Sequence, residues 1–257
     1  MLKKRILNRE LTVGSWISLA DTGVAEILAK AGFDWLVVDL EHSTISINQA
    51  GELIRTIDLA GVPPLVRLTS NDTNQIKRVL DAGAVGIIVP MVNSVSDAEI
   101  AVAATRYGPA GHRGVGLARA QGYGVEFGSY FERQSNKDDG PIVIVQIEHI
   151  EAVHDLEKIL GVPNVDGFIV GPYDLSCSMG IPGDFEHPEF IKTLKTINCV
   201  RDKLKICGGL HVVEPSLKEL NSAIDHGYKF IAYSVDIRML DTCARSAVNA
   251  LNKGDAQ

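Results

Sequence analysis

The sequence predicts an α/β fold, a single (β/α)8 TIM barrel spanning residues 1–257, and three observations predict it. Short, nearly continuous apolar runs recur along the whole chain, each followed by an amphipathic stretch, as expected of parallel strands covered by helices on both faces. Eight such pairs can be counted, a number that favours a closed barrel over an open doubly wound sheet. No G-x-G-x-x-G follows the first strand, so the mark of a dinucleotide-binding sheet is missing. With 257 residues, 46% of them hydrophobic, the chain can fill one core of that size.

The first strand is expected at Thr12 to Leu19, and Asp21 is the natural N-cap of a helix over Thr22 to Ala31. Trp35 to Asp39 follows, then a helix over Ile47 to Leu59. Pro64 to Arg67 precedes a helix over Thr73 to Ala82, and Val85 to Pro90 a helix over Val95 to Thr105. Between Arg106 and Gly140 the rhythm stops. This excursion is too long for an ordinary connection and holds Tyr107, Tyr123, Phe127, Tyr130 and Phe131, so a lid or an oligomer contact is expected there. The rhythm resumes with strands at Ile142 to Ile147 and Asp166 to Val170, with a helix between them. A helix over Pro188 to Leu204 leads to a strand at Ile206 to Leu210, a helix over Glu214 to His226, a strand at Tyr228 to Tyr233, and a last helix over Ile237 to Leu251.

A formal charge of −7 and a pI near 5.5 argue against nucleic acid and anionic membranes as partners. Cys177, Cys199, Cys207 and Cys243 form no C-x-x-C pair, and scattered thiols suggest a reduced, cytoplasmic protein. The basic start Met1-Leu-Lys-Lys-Arg5 runs into Asn8, Arg9 and Glu10 rather than an apolar segment, so no secretory signal is expected.

Barrels of this kind react at the C-terminal edge of their strands, which makes the polar residues at that edge informative. They are Trp16 and Ser18, then Asp39, Glu41 and His42, Arg67, Pro90-Met91, Gln146 and Glu148, Gly171-Pro172-Tyr173-Asp174, His211, and Ser234 to Asp236. Glu148 and Asp174 at one mouth repel each other unless a cation or proton lies between them. Two carboxylates plus water suit a hard divalent ion; each residue alone could instead cap the helix after it. Arg67 can stabilise an anion or enolate oxygen, or form a salt bridge to Asp39 or Glu41. His42 is a candidate general base. No lysine is expected at the mouth, since Lys205 and Lys229 lie at the feet of their strands, and this disfavours imine chemistry.

These residues carry a resemblance to the HpcH/HpaI family of class II pyruvate aldolases, which includes 2-keto-3-deoxy sugar-acid aldolases. It rests on Gly14-Ser-Trp16, Ala31-Gly-Phe-Asp-Trp35, Asp39-Leu-Glu-His42, Val66-Arg67-Leu, Leu80-Asp81-Ala-Gly83, Val89-Pro-Met-Val92, Arg113-Gly-Val-Gly116, Gln146-Ile-Glu148 and Gly171-Pro-Tyr-Asp-Leu-Ser176. The resemblance implies reversible cleavage of a 4-hydroxy-2-oxo acid into pyruvate and an aldehyde, with pyruvate bound to the metal as its enolate. It implies Glu148 and Asp174 as ligands of a divalent cation (Mg2+, Mn2+ or Co2+), Arg67 as the enolate stabiliser, and His42 as acid/base with Asp81 as its orienting partner. Placed by its helix alone, Asp81 is not expected at the mouth. Backbone N–H groups around Tyr173 and Asp174, in the Gly171-Pro172 turn, would hold the pyruvate carboxylate, and Trp16 and Gln146 would line the pocket. The family is typically hexameric, a trimer of dimers with exchanged C-terminal helices. Tyr173 stands where sugar-acid members usually carry Ala or Ser, so its ring is expected to reshape the aldehyde side. Three other readings remain: an oxaloacetate decarboxylase or enolate-coupling enzyme using the same residues, a non-catalytic binding barrel, and a phosphate cup built from Gly208-Gly209 and Ser234.

Overall fold

The structure, a computed structural model, describes residues 1–136 and 138–252. The strands β1 (Thr12–Ile17), β2 (Trp35–Asp39), β3 (Pro64–Arg67), β4 (Gly86–Val89), β5 (Ile142–Ile147), β6 (Gly167–Val170), β7 (Cys207–Val212) and β8 (Phe230–Val235) pair in sequence order. All are parallel, and β8 returns to β1 to close the barrel. The helices are α1 (Leu2–Leu7), α2 (Thr22–Lys30), α3 (Ile47–Leu59), α4 (Thr73–Ala82), α5 (Val95–Thr105), α6 (Phe127–Ser135), α7 (Ile150–His154), α8 (Leu156–Leu160), α9 (Pro172–Ser178), α10 (Pro188–Leu204), α11 (Leu217–Asp225) and α12 (Asp236–Asn252). Residues 253–257, assigned from sequence to the same domain, lie outside the described residues. Among the described residues no helix is long and apolar enough to cross a membrane.

Local sequence explains why the helices start where they do. The Asp21 side chain accepts from Gly23 N–H at 2.7 Å and Val24 N–H at 3.1 Å, satisfying donors that have no helical acceptor. Ser46 with Gln49, and Ser94 with Asp97, form reciprocal capping boxes at the starts of α3 and α5.

Strand alternation divides the core in two. One set of side chains, including Leu36, Val38, Val66, Ile87 and Val145, packs outward against the helices. The other fills the barrel: Trp16, Trp35, Val37, Leu65, Ile88, Ile142, Ile144, Ile169, Cys207, Phe230 and Ala232. Trp35 stacks on Phe230 at 4.1 Å between centroids. The same alternation continues toward the C-terminal edge, where the inward positions become Asp39, Arg67, Gln146 and His211.

The short helix α1, absent from the sequence reading, closes the N-terminal end. Leu2 and Ile6 join the barrel-filling cluster. Lys3 is buried, donating to Pro141 O at 2.8 Å and pairing with Asp166 at 3.0 Å. Two strands also run further than expected. β7 reaches Val212 and β8 reaches Val235, because polar residues that face the mouth still belong to the ladder. β1 stops earlier, at Ile17; Asp236 takes the N–H groups of Ser18 at 3.0 Å and Leu19 at 2.9 Å, drawing the chain off the sheet.

The excursion between α5 and β5 is ordered around Arg113. Its fully buried side chain bonds Asp81 at 2.7 Å and Tyr130 OH at 3.1 Å and lies over the Tyr107 ring. Tyr107 in turn stacks on Phe131. At the other end of the chain, α12 leaves the barrel: Leu240, Val248 and Leu251 are exposed.

Candidate active site

The C-terminal edge of the strands surrounds a cavity of about 310 Å3. It is lined by Trp16, His42, Arg67, Gln146, Gly171, Pro172, Tyr173, Asp174 and His211, among others. All but two of the residues expected at the site therefore meet in one place. The two are Glu148, which lies just behind the wall, and Asp81, which is elsewhere.

Register explains how Arg67 is held. Asp39 and Arg67 are paired positions of β2 and β3, and both face inward. Nε donates to Asp39 Oδ1 at 2.8 Å and Nη2 to Asp39 Oδ2 at 2.6 Å, a bidentate pair that fixes the guanidinium plane. Nη1 remains, 3.3 Å from Glu41 Oε2, and the group lies 4.2 Å over the Trp16 ring. The salt bridge and an anion-facing nitrogen thus coexist in one residue. Asp39 stays below the usual carboxylate range: burial opposes this, but the bonds from Arg67 outweigh it.

The facing wall is rich in oxygen. Glu148 Oε1 accepts from Met91 N–H at 2.6 Å, and Oε2 accepts from the Gln146 amide. Burial pushes the Glu148 carboxyl up to about 7, and the nearby Glu41 and Asp174 charges push the same way. Burial likewise raises Glu41 to about 7, against the pull of Arg67. Glu41 Oε2 and Gln146 Oε1 are buried without hydrogen-bond partners. Gly171 makes room for this group, since a Cβ there would lie 3.0 Å from both Gln146 Nε2 and Glu148 Oε2. Among the described residues no three His, Cys, Asp or Glu side chains are grouped to hold a metal ion by themselves. A cation at this wall would rest on two carboxylates and take its remaining ligands from other oxygens, a pattern suited to a hard divalent ion.

His42 sits at the exposed lip of the cavity, with Nε2 3.7 Å from Glu41 Oε2. It does not meet Asp81 within one chain. Asp81 is in the last turn of α4, and helices that follow barrel strands end at the opposite face; there Arg113 engages it at 2.7 Å.

Two residues noted at this edge but given no role from sequence emerge as parts of the site. Glu41 is one. The other is His211, whose ring lies 5.1 Å from that of Trp16. Burial pushes His211 down to about 4, with Arg67 adding to the effect, so its ring is neutral. Nε2 is 3.3 Å from Ser234 O, which assigns the proton to that nitrogen and leaves Nδ1 as an acceptor. The inward parity of Gly209 and His211 on β7, and the place of Glu41 two residues past inward-facing Asp39, was the available signal.

The alternative reading of a phosphate cup finds no support in these residues. Gly208 and Gly209 lie inside β7, where a Cβ on Gly209 would sit 2.5 Å from Phe230 O. Ser234 Oγ is committed to Val213 O at 3.0 Å.

Tyr173 is half-exposed on the rim, edge-on to Phe185 at 5.0 Å. Pro172, Tyr173, His211 and Val213 also line a larger, mainly apolar groove of about 540 Å3 that reaches out between α10 and α11.

The sequence pattern of the HpcH/HpaI aldolase/citrate lyase family matches residues 12–242. The chain is 36% identical over 253 residues to a hydroxypyruvate/pyruvate aldolase of Roseobacter denitrificans, covering 98% of this chain and 97% of that protein. It is 40% identical over 229 residues to a 4-hydroxy-2-oxo-heptane-1,7-dioate aldolase of Salmonella paratyphi C, covering 89% and 85%. The crystal structure of an HpcH/HpaI aldolase/citrate lyase family protein from Burkholderia cenocepacia superposes with a TM-score of 0.90 at 31% identity, covering 98% of both chains.

Proposed function

The chain belongs to the HpcH/HpaI aldolase/citrate lyase family, and from that premise we propose that it is a carbon–carbon lyase cleaving a 4-hydroxy-2-oxo acid to a pyruvate-type product and an aldehyde. One observation carries the reading: Arg67, His42, Gln146 and Asp174 converge on one cavity, with the buried, proton-retaining Glu148 directly behind. The relatives' names supply the substrate class.

Glu148 and Asp174 would hold a divalent cation (Mg2+, Mn2+ or Co2+), which when bound supplies Lewis-acid polarisation of the substrate's keto group. The residues of the chain do the rest. Arg67, immobilised by Asp39, presents Nη1 to the charge that builds on the enolate oxygen as the C–C bond breaks. His42 takes the proton of the 4-hydroxyl, which becomes the aldehyde oxygen. Tyr173 and Asp174 open α9, so their N–H groups have no acceptor in the helix and suit the substrate carboxylate. Trp16 and His211 close the cavity's apolar side.

The molecule acts as a homo-oligomer in this reading. The exposed apolar positions of α12 (Leu240, Val248 and Leu251) and of the excursion (Val115, Leu117, Tyr123 and Val125) are its contact surfaces, and His42 can meet Asp81 only from another chain. A strictly monomeric, fully active protein at assay concentration contradicts this.

The test of the activity is a retro-aldol panel of 4-hydroxy-2-oxo acids, including 2-keto-3-deoxy acids, run after chelation and again with Mg2+, Mn2+ or Co2+ restored. Pyruvate formation that vanishes on chelation and returns with the ion is expected. Release of pyruvate only from oxaloacetate would turn the assignment toward a decarboxylase.

A further inference from the structure

The opposite end of the barrel holds a second cavity, of about 240 Å3, lined by Asn8, Arg9, Arg201, Asp202, Ile206, Gly208, Gly227 and Lys229. Three cationic side chains and one carboxylate face it, and they come from separate parts of the chain. Arg9 follows α1, Arg201 belongs to α10, and Lys229 precedes β8.

Arg201 is 8% exposed and pre-aligned. Its Nε donates to Asp202 at 2.8 Å, and Nη1 to Asn198 at 3.0 Å and to His226 O at 3.0 Å. The guanidinium also lies 5.4 Å over the Tyr228 ring. These contacts hold the planar fork while, among the described residues, Nη2 has no acceptor. Two glycines clear its path: a Cβ on Gly208 would lie 2.6 Å from Arg201 Cδ, and one on Gly227, at φ +85°, would lie 3.0 Å from Nη2.

The other two cations are free to turn inward. Among the described residues neither Arg9 nor Lys229 forms a side-chain hydrogen bond or an ion pair. Arg9 has φ +55°, a conformation in which glycine or asparagine is the ordinary choice, yet an arginine stands there. All three cations act on the buried thiol of Cys207, so their charges converge on one locus. Asn8 is turned away, its amide donating to Glu10 at 3.2 Å.

We propose that this cavity is a binding site for a phosphate-class oxyanion, either free phosphate or a small phosphate ester. A buried guanidinium with an unclaimed N–H pair and two unpaired cations around it match a tetrahedral anion, whose oxygens point in different directions. Like charges left facing one another in a recess are also relieved when an anion enters. Such a ligand would tie α1, α10 and β8 together, so binding is linked to stability by mass action.

The experiment titrates inorganic phosphate, and separately glycerol phosphate, into the full-length protein, following 31P line width and the thermal midpoint against chloride at matched ionic strength. Saturable binding that raises the midpoint is expected, weakened about tenfold or more in Arg9→Gln/Lys229→Gln. Asp202→Asn keeps an acceptor for Arg201 Nε while removing the cavity's negative charge, and should tighten binding. Arg67→Ala, altered at the other end of the barrel, should bind phosphate unchanged. Tighter binding of glycerol phosphate than of phosphate identifies an ester as the ligand; the reverse identifies the free ion. Binding no stronger than that of chloride, binding retained in the double variant, or binding lost in Arg67→Ala overturns the proposal.

Discussion

Buried charge is handled differently at the two ends of the barrel core. Beneath the strands, Lys3 and Asp166 form an ion pair at 3.0 Å, with both side chains almost wholly buried. Each also has further partners: Lys3 donates to Pro141 O, and Asp166 accepts from Val143 N–H at 2.9 Å. Above the strands, Glu148 and Gln146 are buried and Glu41 is partly buried; Gln146 Oε1 has no hydrogen-bond partner, Glu41 Oε2 has only the Arg67 guanidinium at 3.3 Å, and both carboxyls keep their protons up to about 7. Leaving a buried polar atom unpaired costs roughly 1–3 kcal/mol, so a fold shaped by stability alone would fill the upper wall as it fills the lower one. At the inner end both members of the ion pair are bonded within the chain, although the neighbouring Arg106 Nε is left without a partner. In the proposed reading, the oxygens left open at the mouth are the ones a ligand would take.

The largest expected effect tests that contrast directly. Glu148→Ala or Asp174→Ala should reduce cation-dependent pyruvate formation to background while the far-UV spectrum and thermal midpoint stay near those of the parent. A Glu148 variant should even gain stability in metal-free buffer above pH 7, because a buried carboxylate is removed. Full activity of either variant at limiting cation would overturn the ligand assignment.

Next come Arg67 and His42, which should fail in different ways. In the proposed mechanism Arg67 meets charge on the enolate oxygen, so Arg67→Lys should damage aldol cleavage, oxaloacetate decarboxylation and exchange of the pyruvate methyl protons alike. A lysine cannot reproduce the two-pronged hold of Asp39. In the same proposal His42 acts on the aldehyde-side oxygen, which decarboxylation lacks. His42→Ala should cost roughly 10²–10⁴-fold in cleavage and much less in decarboxylation. Equal losses in both reactions would move His42 to the pyruvate side.

Much of this was legible before any coordinates. The bounds of α3, α4, α5 and α10 follow from caps and apolar period, and the residues of the mouth follow from barrel topology. What escaped was decided by tertiary context. The segment Leu2–Leu7 reads as a basic tail, and only the open end of a barrel gives Leu2 and Ile6 something to cover. His211 and Ser234 looked like loop residues because polarity was taken to end a strand, whereas inward-facing polar side chains continue one. Asp81 is the other case: the resemblance pairs it with His42, while within one chain the end of α4 carries it to the other face, against Arg113, so the pairing stands only as part of the proposed assembly.

The structural end of the comparison predicts loss of stability without loss of chemistry. Lys3→Ala leaves the buried Asp166 with only the Val143 N–H bond and the charge of Arg106, at a cost of about 3–5 kcal/mol. Turnover per folded molecule should be unchanged, because Lys3 lies a barrel length from the mouth. Lys3→Met combined with Asp166→Leu should recover most of the stability, since packed apolar groups can replace a buried pair. If Lys3→Ala instead lowers turnover at full folding, the two ends are coupled and the division of labour drawn above is wrong.

The smallest effect concerns His211, a mouth residue with a partner inside the chain. Its Nε2 is bonded to Ser234 O, and burial and Arg67 hold its folded-state value at about 4, against about 6.5 in the unfolded chain. Between pH 4 and 6.5 the unfolded chain therefore binds the extra proton and the native protein does not. Stability consequently rises with pH across that window and is lost as pH falls through it. In His211→Leu that part of the pH dependence should disappear, so the denaturation midpoints of parent and variant should converge as the pH is lowered from 7 to 5. Activity gives an independent check, because a histidine that stays neutral contributes no acid limb near pH 6.5 to kcat/KM for cleavage. Whatever limb the parent shows there should persist in His211→Leu. A limb that vanishes with His211 would mean that the ring is protonated in the working site, and negative charge beyond that of Asp39 and Glu41 would then be needed beside Arg67 to tolerate a second cation.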